Sequence, residues 1–300
     1  MRHESESLLD VSEKASQLSP FSEDCRANRL LSVLIFQEEC LLGTLLFFGL
    51  IGKHSRSGCM KDKVFHKKRN RENNMNIGGF QKLSLLNYPG KAACTVFTSG
   101  CTFRCPWCHN SGLVRNETSV ISPEEIFSYL RKRKGLLEGV CISGGEPMMN
   151  DDLLSFLREL KHLGYAVKVD TNGSFPERLE QIISEKCADY IAMDVKNTPE
   201  KYAGTIGLTD APLDRILQSV SLLKQGRIEY EFRTTIIAEY HNAEDIALIA
   251  SRLKGAGIWY LQPFQDSPEV PQKGLHTPDE KTIEEFGSIG NRYLKTVIRK

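Results

Sequence analysis

Cys101, Cys105 and Cys108 stand at a Cys-x3-Cys-x2-Cys spacing in the run Thr98-Ser-Gly-Cys101-Thr-Phe-Arg-Cys105-Pro-Trp-Cys108-His-Asn110. Soft thiolates this close together point to a metal before anything else. Three are one short of a closed four-ligand site. If the metal is a 4Fe–4S cube, one iron has no protein ligand and is free to bind another molecule. Zinc is the alternative, with His109 counted as the fourth ligand, and it would make the chain a metal-stabilised binding module without catalysis. Against it, His109 adjoins Cys108, and adjacent residues rarely reach one ion with tetrahedral geometry.

Other residues could serve the same chemistry. In Ser143-Gly144-Gly145-Glu146-Pro147 two glycines after a strand let the backbone approach a ligand, and carbonyls there can accept from an amino group. Asp170-Thr171-Asn172-Gly173 reads either as an Asx-type turn or as part of a site. Asp194 and Lys196 share one face of a strand, as an ion pair or as ligand contacts. Two acids and a lysine at adjacent strand ends suit a ligand that carries a carboxylate, an amine and a ribose. Arg233, in Glu231-Phe-Arg-Thr-Thr-Ile236, is costly to bury unless it meets an anion. A ligand carboxylate, a protein substrate loop, Asp194 or Glu229 could supply it. Trp107 and His109 ride on the cysteine loop itself, the tryptophan suited to packing and the histidine to a place beside the ligand.

The elements that must position these residues alternate. Short apolar, β-rich runs are expected over 92–98, 140–143, 166–170, 190–195, 229–237 and 258–263. Between and after them, helices are expected over 122–137, 151–163, 176–186, 213–224, 243–254 and 280–296. Ser122-Pro123-Glu124-Glu125 gives the first a capping serine, a first-turn proline and acids at the positive dipole end. This order predicts an α/β fold with a parallel sheet and right-handed crossovers. Six strand–helix units are too few for a closed eight-fold barrel, so the expectation is a partial, open (β/α)6 TIM-like barrel. Chemistry in such folds gathers at the C-terminal ends of the strands, where all the motifs above fall, together with Gln262-Pro-Phe264.

The chain has 300 residues, 40% hydrophobic and 26% charged, with a net charge of +1, so its overall charge argues against a nucleic-acid partner. Nine cysteines, an odd number, and no signal-peptide pattern fit a reducing cytoplasmic interior better than secretion. Residues 1–74 differ from the remainder. A polar start is followed by an apolar segment, 30–52, and then by eight Lys/Arg against Asp62 over 53–71. A membrane-associated segment is one reading. Glu38-Glu39 and the short uninterrupted run 41–51 oppose it, and a disordered extension or a mis-set start ahead of Met75 is the expectation. The working domain is then 75–300.

Cys-x3-Cys-x2-Cys with Trp107 before the last cysteine resembles the signature of the radical S-adenosylmethionine (SAM) superfamily. Further segments narrow the resemblance to anaerobic ribonucleoside-triphosphate reductase activating proteins, which activate glycyl-radical enzymes. They are Gly79-Phe80 through Pro89-Gly90-Lys91, Cys105-Pro-Trp-Cys-His-Asn110, Arg131 to Leu137, Ala192-Met-Asp-Val-Lys196 and Glu231-Phe-Arg-Thr-Thr235. The resemblance covers 75–265 and none of 1–74. It implies a radical SAM core in which Cys101, Cys105 and Cys108 hold one 4Fe–4S cluster, whose open iron is chelated by the amino and carboxylate groups of SAM. One electron, from flavodoxin or ferredoxin, then yields methionine and a 5′-deoxyadenosyl radical that takes hydrogen from a glycine Cα of the partner enzyme. Gly144, Gly145 and Glu146 would hold the SAM amino group, with Trp107 near the adenine and His109 adjacent. Asp170, Thr171, Asp194, Lys196 and Arg233 would surround SAM, and the acids would help hold a monovalent cation. Pyruvate formate-lyase activases share the cluster loop, so another glycyl-radical enzyme, or a small molecule, is the alternative substrate. One departure stands out: Asn87 replaces the aspartate usual in Asp-Tyr-Pro-Gly, which bears on partner contact and not on SAM cleavage.

Overall fold

The computed structural model describes residues 75–299. The expected extension over 1–74, with its apolar segment, lies outside the described residues. Eight strands form one sheet in the order of the chain. They are β1 (Ile77–Ser84), β2 (Ala93–Thr98), β3 (Gly139–Gly144), β4 (Ala166–Thr171), β5 (Tyr190–Asp194), β6 (Glu229–Ile236), β7 (Trp259–Pro263) and β8 (Thr296–Ile298). β1 is antiparallel to β2, and every later neighbour is parallel. The six expected strands are β2 to β7, and the partial-barrel plan is as predicted.

Helices α1 (Ser111–Val114), α2 (Pro123–Lys132), α3 (Leu153–His162), α4 (Pro176–Ser184), α5 (Pro199–Thr205), α6 (Leu213–Lys224), α7 (Ala243–Leu253) and α8 (Glu280–Gly290) fill the crossovers. Their starts follow local chemistry. The Ser122 hydroxyl accepts from the Glu125 N–H, and Asn242 and Asp245 form a reciprocal capping box.

Strand parity separates the two faces of the sheet. Val167, Val169, Ile191, Met193 and Phe232 are fully buried in one continuous apolar core with the helices. The alternate positions carry Lys168, Asp170, Asp194, Glu231 and Arg233, and charged residues so placed are tolerable only when paired.

Four expectations are corrected. The sequence reading missed β1, because Gly78-Gly79 and Lys82 dilute its pattern. It missed β8, because three residues give no period to read. The first helix ends at Lys132 and not near Leu137, giving way to a turn at Gly135 with φ +84°. The last ends at Gly290 and does not reach Thr296: Asn291 donates to the carbonyls of Gly287 and Thr296 and accepts from the Thr296 N–H, closing the helix and starting β8. Among the described residues no helix is long and apolar enough to cross a membrane.

Candidate active site

The loop after β2 carries the three cysteines, and its backbone is clamped from two sides. The Gly145 and Glu146 N–H groups donate to the carbonyls of Thr98 and Gly100, at 2.9 Å each. The Arg104 N–H donates to the Ile206 carbonyl at 2.8 Å. The glycine pair is required by this docking. Gly144 sits at φ +116°, and a Cβ on Gly145 would lie 1.9 Å from the Gly100 carbonyl oxygen. The expected close approach is therefore first of all an approach to the cysteine loop.

A cavity of about 250 Å³ lies under the loop, lined by Cys101, Cys105, Cys108, Trp107, His109, Gly144, Gly145, Asp170, Thr171, Asp194, Lys196 and Arg233 among others. Of the thirteen candidates drawn from the sequence it takes twelve and leaves out one, Glu146. That side chain is wholly buried and turned into a hydrogen-bond set. It accepts from the Met148 N–H at 3.0 Å, the Thr171 hydroxyl at 2.9 Å and the Asn172 N–H at 2.6 Å. Burial lifts its pKa to about 7, against the pull of those donors. Glu146 ties the end of β3 to the end of β4 and does not reach the cavity.

The charged residues form one chain of ion pairs. Asp194 and Arg233 are opposite in the β5–β6 register, and Arg233 Nε donates to Asp194 Oδ1 at 2.8 Å. The other end of the guanidinium lies 3.4 Å from Asp170. Asp170 also pairs with the buried Lys168 and accepts from the Ser143 hydroxyl at 2.9 Å. Lys196 Nζ donates to Asp194 at 2.9 Å and sits 4.8 Å over the Trp107 ring. Burial alone would raise both acids, but the adjacent cations reverse it: Arg233 and Lys168 hold Asp170 below the usual carboxylate range, and Arg233 and Lys196 hold Asp194 at about 2. Burial works against the charges of Lys196 and Arg233, and the same acids more than compensate. So the anion that Arg233 meets is Asp194, one of the alternatives that the sequence left open, with Asp170 beside it.

Burial pushes the Cys101 thiol to about 11, opposed by the Phe103 N–H and Lys196, and the Cys105 thiol to about 12, opposed by Lys196. A bound cation would supply the charge that these thiolates lack. Among the described residues no three His, Cys, Asp or Glu side chains form a group for a single metal ion. A cube places each thiolate on a different iron, so it does not ask the sulfurs to converge on one point. His109 Nε2 is 2.5 Å from the Gln265 carbonyl, which can only accept, so that nitrogen carries the proton and is not a metal ligand in this arrangement. Trp107 donates to the Thr205 carbonyl at 3.0 Å and is 4% exposed, the cover on one side of the cavity.

A second cavity of about 620 Å³ shares His109, Asp170, Arg233, Thr235 and Gln262 with the first. Its rim is the exposed Leu85 and Leu86 with Asn87 and Pro89, from the turn between β1 and β2. Asn87 donates to Thr95 Oγ1 at 2.8 Å and to Gln81 Oε1 at 3.1 Å. The sequence reading missed Lys168, and it quoted Ser143, Asn110 and Asn172 within their motifs without giving them a role of their own. Lys168 had a signal, since it shares strand parity with Asp170.

The family model described as the Radical SAM superfamily matches residues 95–253. A Methanocaldococcus jannaschii protein named as a glycyl-radical enzyme activating enzyme is 32% identical over 228 residues, 74% of this chain and 94% of that one. A pyruvate formate-lyase-activating enzyme of Listeria monocytogenes is 30% identical over 232 residues, 67% of this chain and 88% of that one. Among solved structures, a radical SAM methyltransferase from Sphaerobacter thermophilus superposes with a TM-score of 0.57 at 16% identity, over 72% of this chain and 68% of that one. At that identity the likeness speaks for the fold alone.

Proposed function

The chain belongs to the radical SAM superfamily, and from that premise we propose that it activates a partner enzyme by generating a glycyl radical on it. The partner we favour is an anaerobic ribonucleoside-triphosphate reductase, whose activating proteins the segments around Pro89, Cys105 and Lys196 resemble. The observation that carries this reading is the convergence of Cys101, Cys105 and Cys108 with the Asp170–Arg233–Asp194–Lys196 chain on one cavity.

Cys101, Cys105 and Cys108 would hold a 4Fe–4S cluster, and the glycine-rich edge at Gly144-Gly145 and the charged chain would hold SAM. Bound together, the two groups supply a reductive cleavage of the sulfonium and a carbon radical able to take a hydrogen from a glycine Cα. The residues of this chain bind and orient. Lys196 and Arg233, kept charged by the acids beside them, offer cationic contacts to a carboxylate. Trp107 keeps water from one wall, and ion pairs with Asp194 (Lys196, Arg233) and Asp170 (Arg233) hold those cations in place. A monovalent cation would have to share Asp170 and Asp194 with the side chains already paired to them. The larger outer cavity, bordered by Leu85, Leu86 and Asn87, is the route for a partner segment. Flavodoxin or ferredoxin in the cytoplasm would be the electron source.

The Listeria relative favours a second reading, a pyruvate formate-lyase type of partner. Mixing the reconstituted, reduced protein and SAM with each candidate enzyme, followed by electron paramagnetic resonance, separates them. A glycyl-radical doublet with the reductase is the expected result. A doublet with the lyase alone moves the assignment to that partner, and none with any glycyl-radical enzyme ends it.

A further inference from the structure

Cys101 differs from the other two cysteines in what surrounds its sulfur. Its Sγ accepts from the Phe103 N–H at 3.3 Å and from Asn172 Nδ2 at 3.8 Å. Among the described residues the sulfurs of Cys105 and Cys108 accept no such bond. Asn172 is 6% exposed and has no freedom to turn its amide over. Its Oδ1 accepts from the Ser174 N–H at 3.0 Å and from the Ser174 hydroxyl at 2.7 Å. A backbone N–H can only donate, so the oxygen must face Ser174 and the NH2 must face the cysteine loop. There it also donates to Thr102 Oγ1 at 3.1 Å. The backbone is pinned as well, by the 2.6 Å bond from its N–H to the buried Glu146.

We propose that Asn172 is a positioning residue for the metal centre, an amide donor locked onto the Cys101 sulfur that raises the reduction potential of the cluster held there. The inference rests on the reading of Cys101 as a cluster ligand. Its physical basis is charge. Reduction adds negative charge, which spreads onto the thiolate sulfurs, and an N–H aimed at one of them favours the reduced state. The glutamate that never reaches the cavity gains a purpose, since it fixes the backbone from which this donor is presented.

The test is a potentiometric titration of the reconstituted protein without SAM, followed by electron paramagnetic resonance, with iron and sulfide counted in each sample. Asn172→Leu removes the donor, and the reduced-to-oxidised ratio at the wild-type midpoint is expected to fall about tenfold, which is about 59 mV for one electron. Asn172→Asp keeps the acceptor for Ser174 and puts a carboxylate oxygen where the NH2 stood, so it should fall further. Ser174→Ala keeps the Ser174 N–H that orients the amide and should titrate like wild type. Full-cluster Asn172 variants at the wild-type potential overturn the proposal, and so does Ser174→Ala shifting as far as Asn172→Leu. If the Asn172 variants lose iron, retention by Ser174→Ala supports a role at the metal centre, and loss in all three overturns it. Wild-type protein that takes up no four-iron cluster removes the premise; a loaded wild type with unshifted variants removes this inference alone.

Discussion

At the scale of single residues, the two sides of the site answer pH in opposite directions. Asp194 is held at about 2, below its ordinary 3.8. Its contribution to stability is present above pH 3.8 and is lost as the pH falls towards 2. Glu146 is held at about 7, above its ordinary 4.5. Between those values the folded state binds the extra proton, so stability declines as the pH rises across that interval, by about 3 kcal/mol for this group alone. Urea unfolding of the metal-free protein from pH 4.5 to 7 should show the decline, and Glu146→Ala should flatten it. Arg233→Met leaves Asp170 and Asp194 short of a counter-charge and should cost about 3 kcal/mol in the same assay at pH 7. The cysteines, the charged residues at the strand ends and the glycine pair were legible in the sequence, because each type is rare in its position. Asn172 was not. An asparagine in a turn has a sufficient local explanation, and only the fold brings it to Cys101.

At the scale of elements, the strands that hold the site could be read from runs of apolar residues, and their ends fell within a residue or two of the expectation. β1 and β8 could not, and both border the opening of the barrel. β1 carries Gly78 because a side chain there would collide: its Cβ would lie 2.1 Å from the Ser99 hydroxyl. β8 depends on Asn291, which joins the end of the helix at Gly287 to both backbone groups of Thr296 in the strand. The docking of the β3 turn on the cysteine loop gives a sharper test. Gly145→Ala should destabilise the protein by about 2 kcal/mol and lower the iron retained per chain. Gly164→Ala meets no atom within 4 Å. It should cost about 1 kcal/mol for its positive φ and leave the iron content unchanged.

At the scale of the whole molecule, the polar face of the sheet runs from the cysteine loop to the last strand. Glu231 is fully buried, accepts from the Tyr190 hydroxyl at 2.9 Å and is gripped by both terminal nitrogens of Arg299 at 2.9 and 3.0 Å. Arg299 also stacks 3.6 Å over the Tyr260 ring and lines the outer cavity. Arg299 is thus part of the wall of the outer cavity, the route proposed for a partner segment. Arg299→Met should cost about 3 kcal/mol through the orphaned Glu231, read as a shift in the urea midpoint. The central claim concerns the other end of that polar face, where three cysteines and four paired charges meet. Its most direct measurement is 5′-deoxyadenosine formed from SAM under dithionite by anaerobically reconstituted protein, beside the alanine variants of Cys101, Cys105 and Cys108. Formation by wild type, and none by any of the three variants, is the predicted result. A wild type that holds four irons and four sulfides and forms none, or variants that form as much, would contradict it.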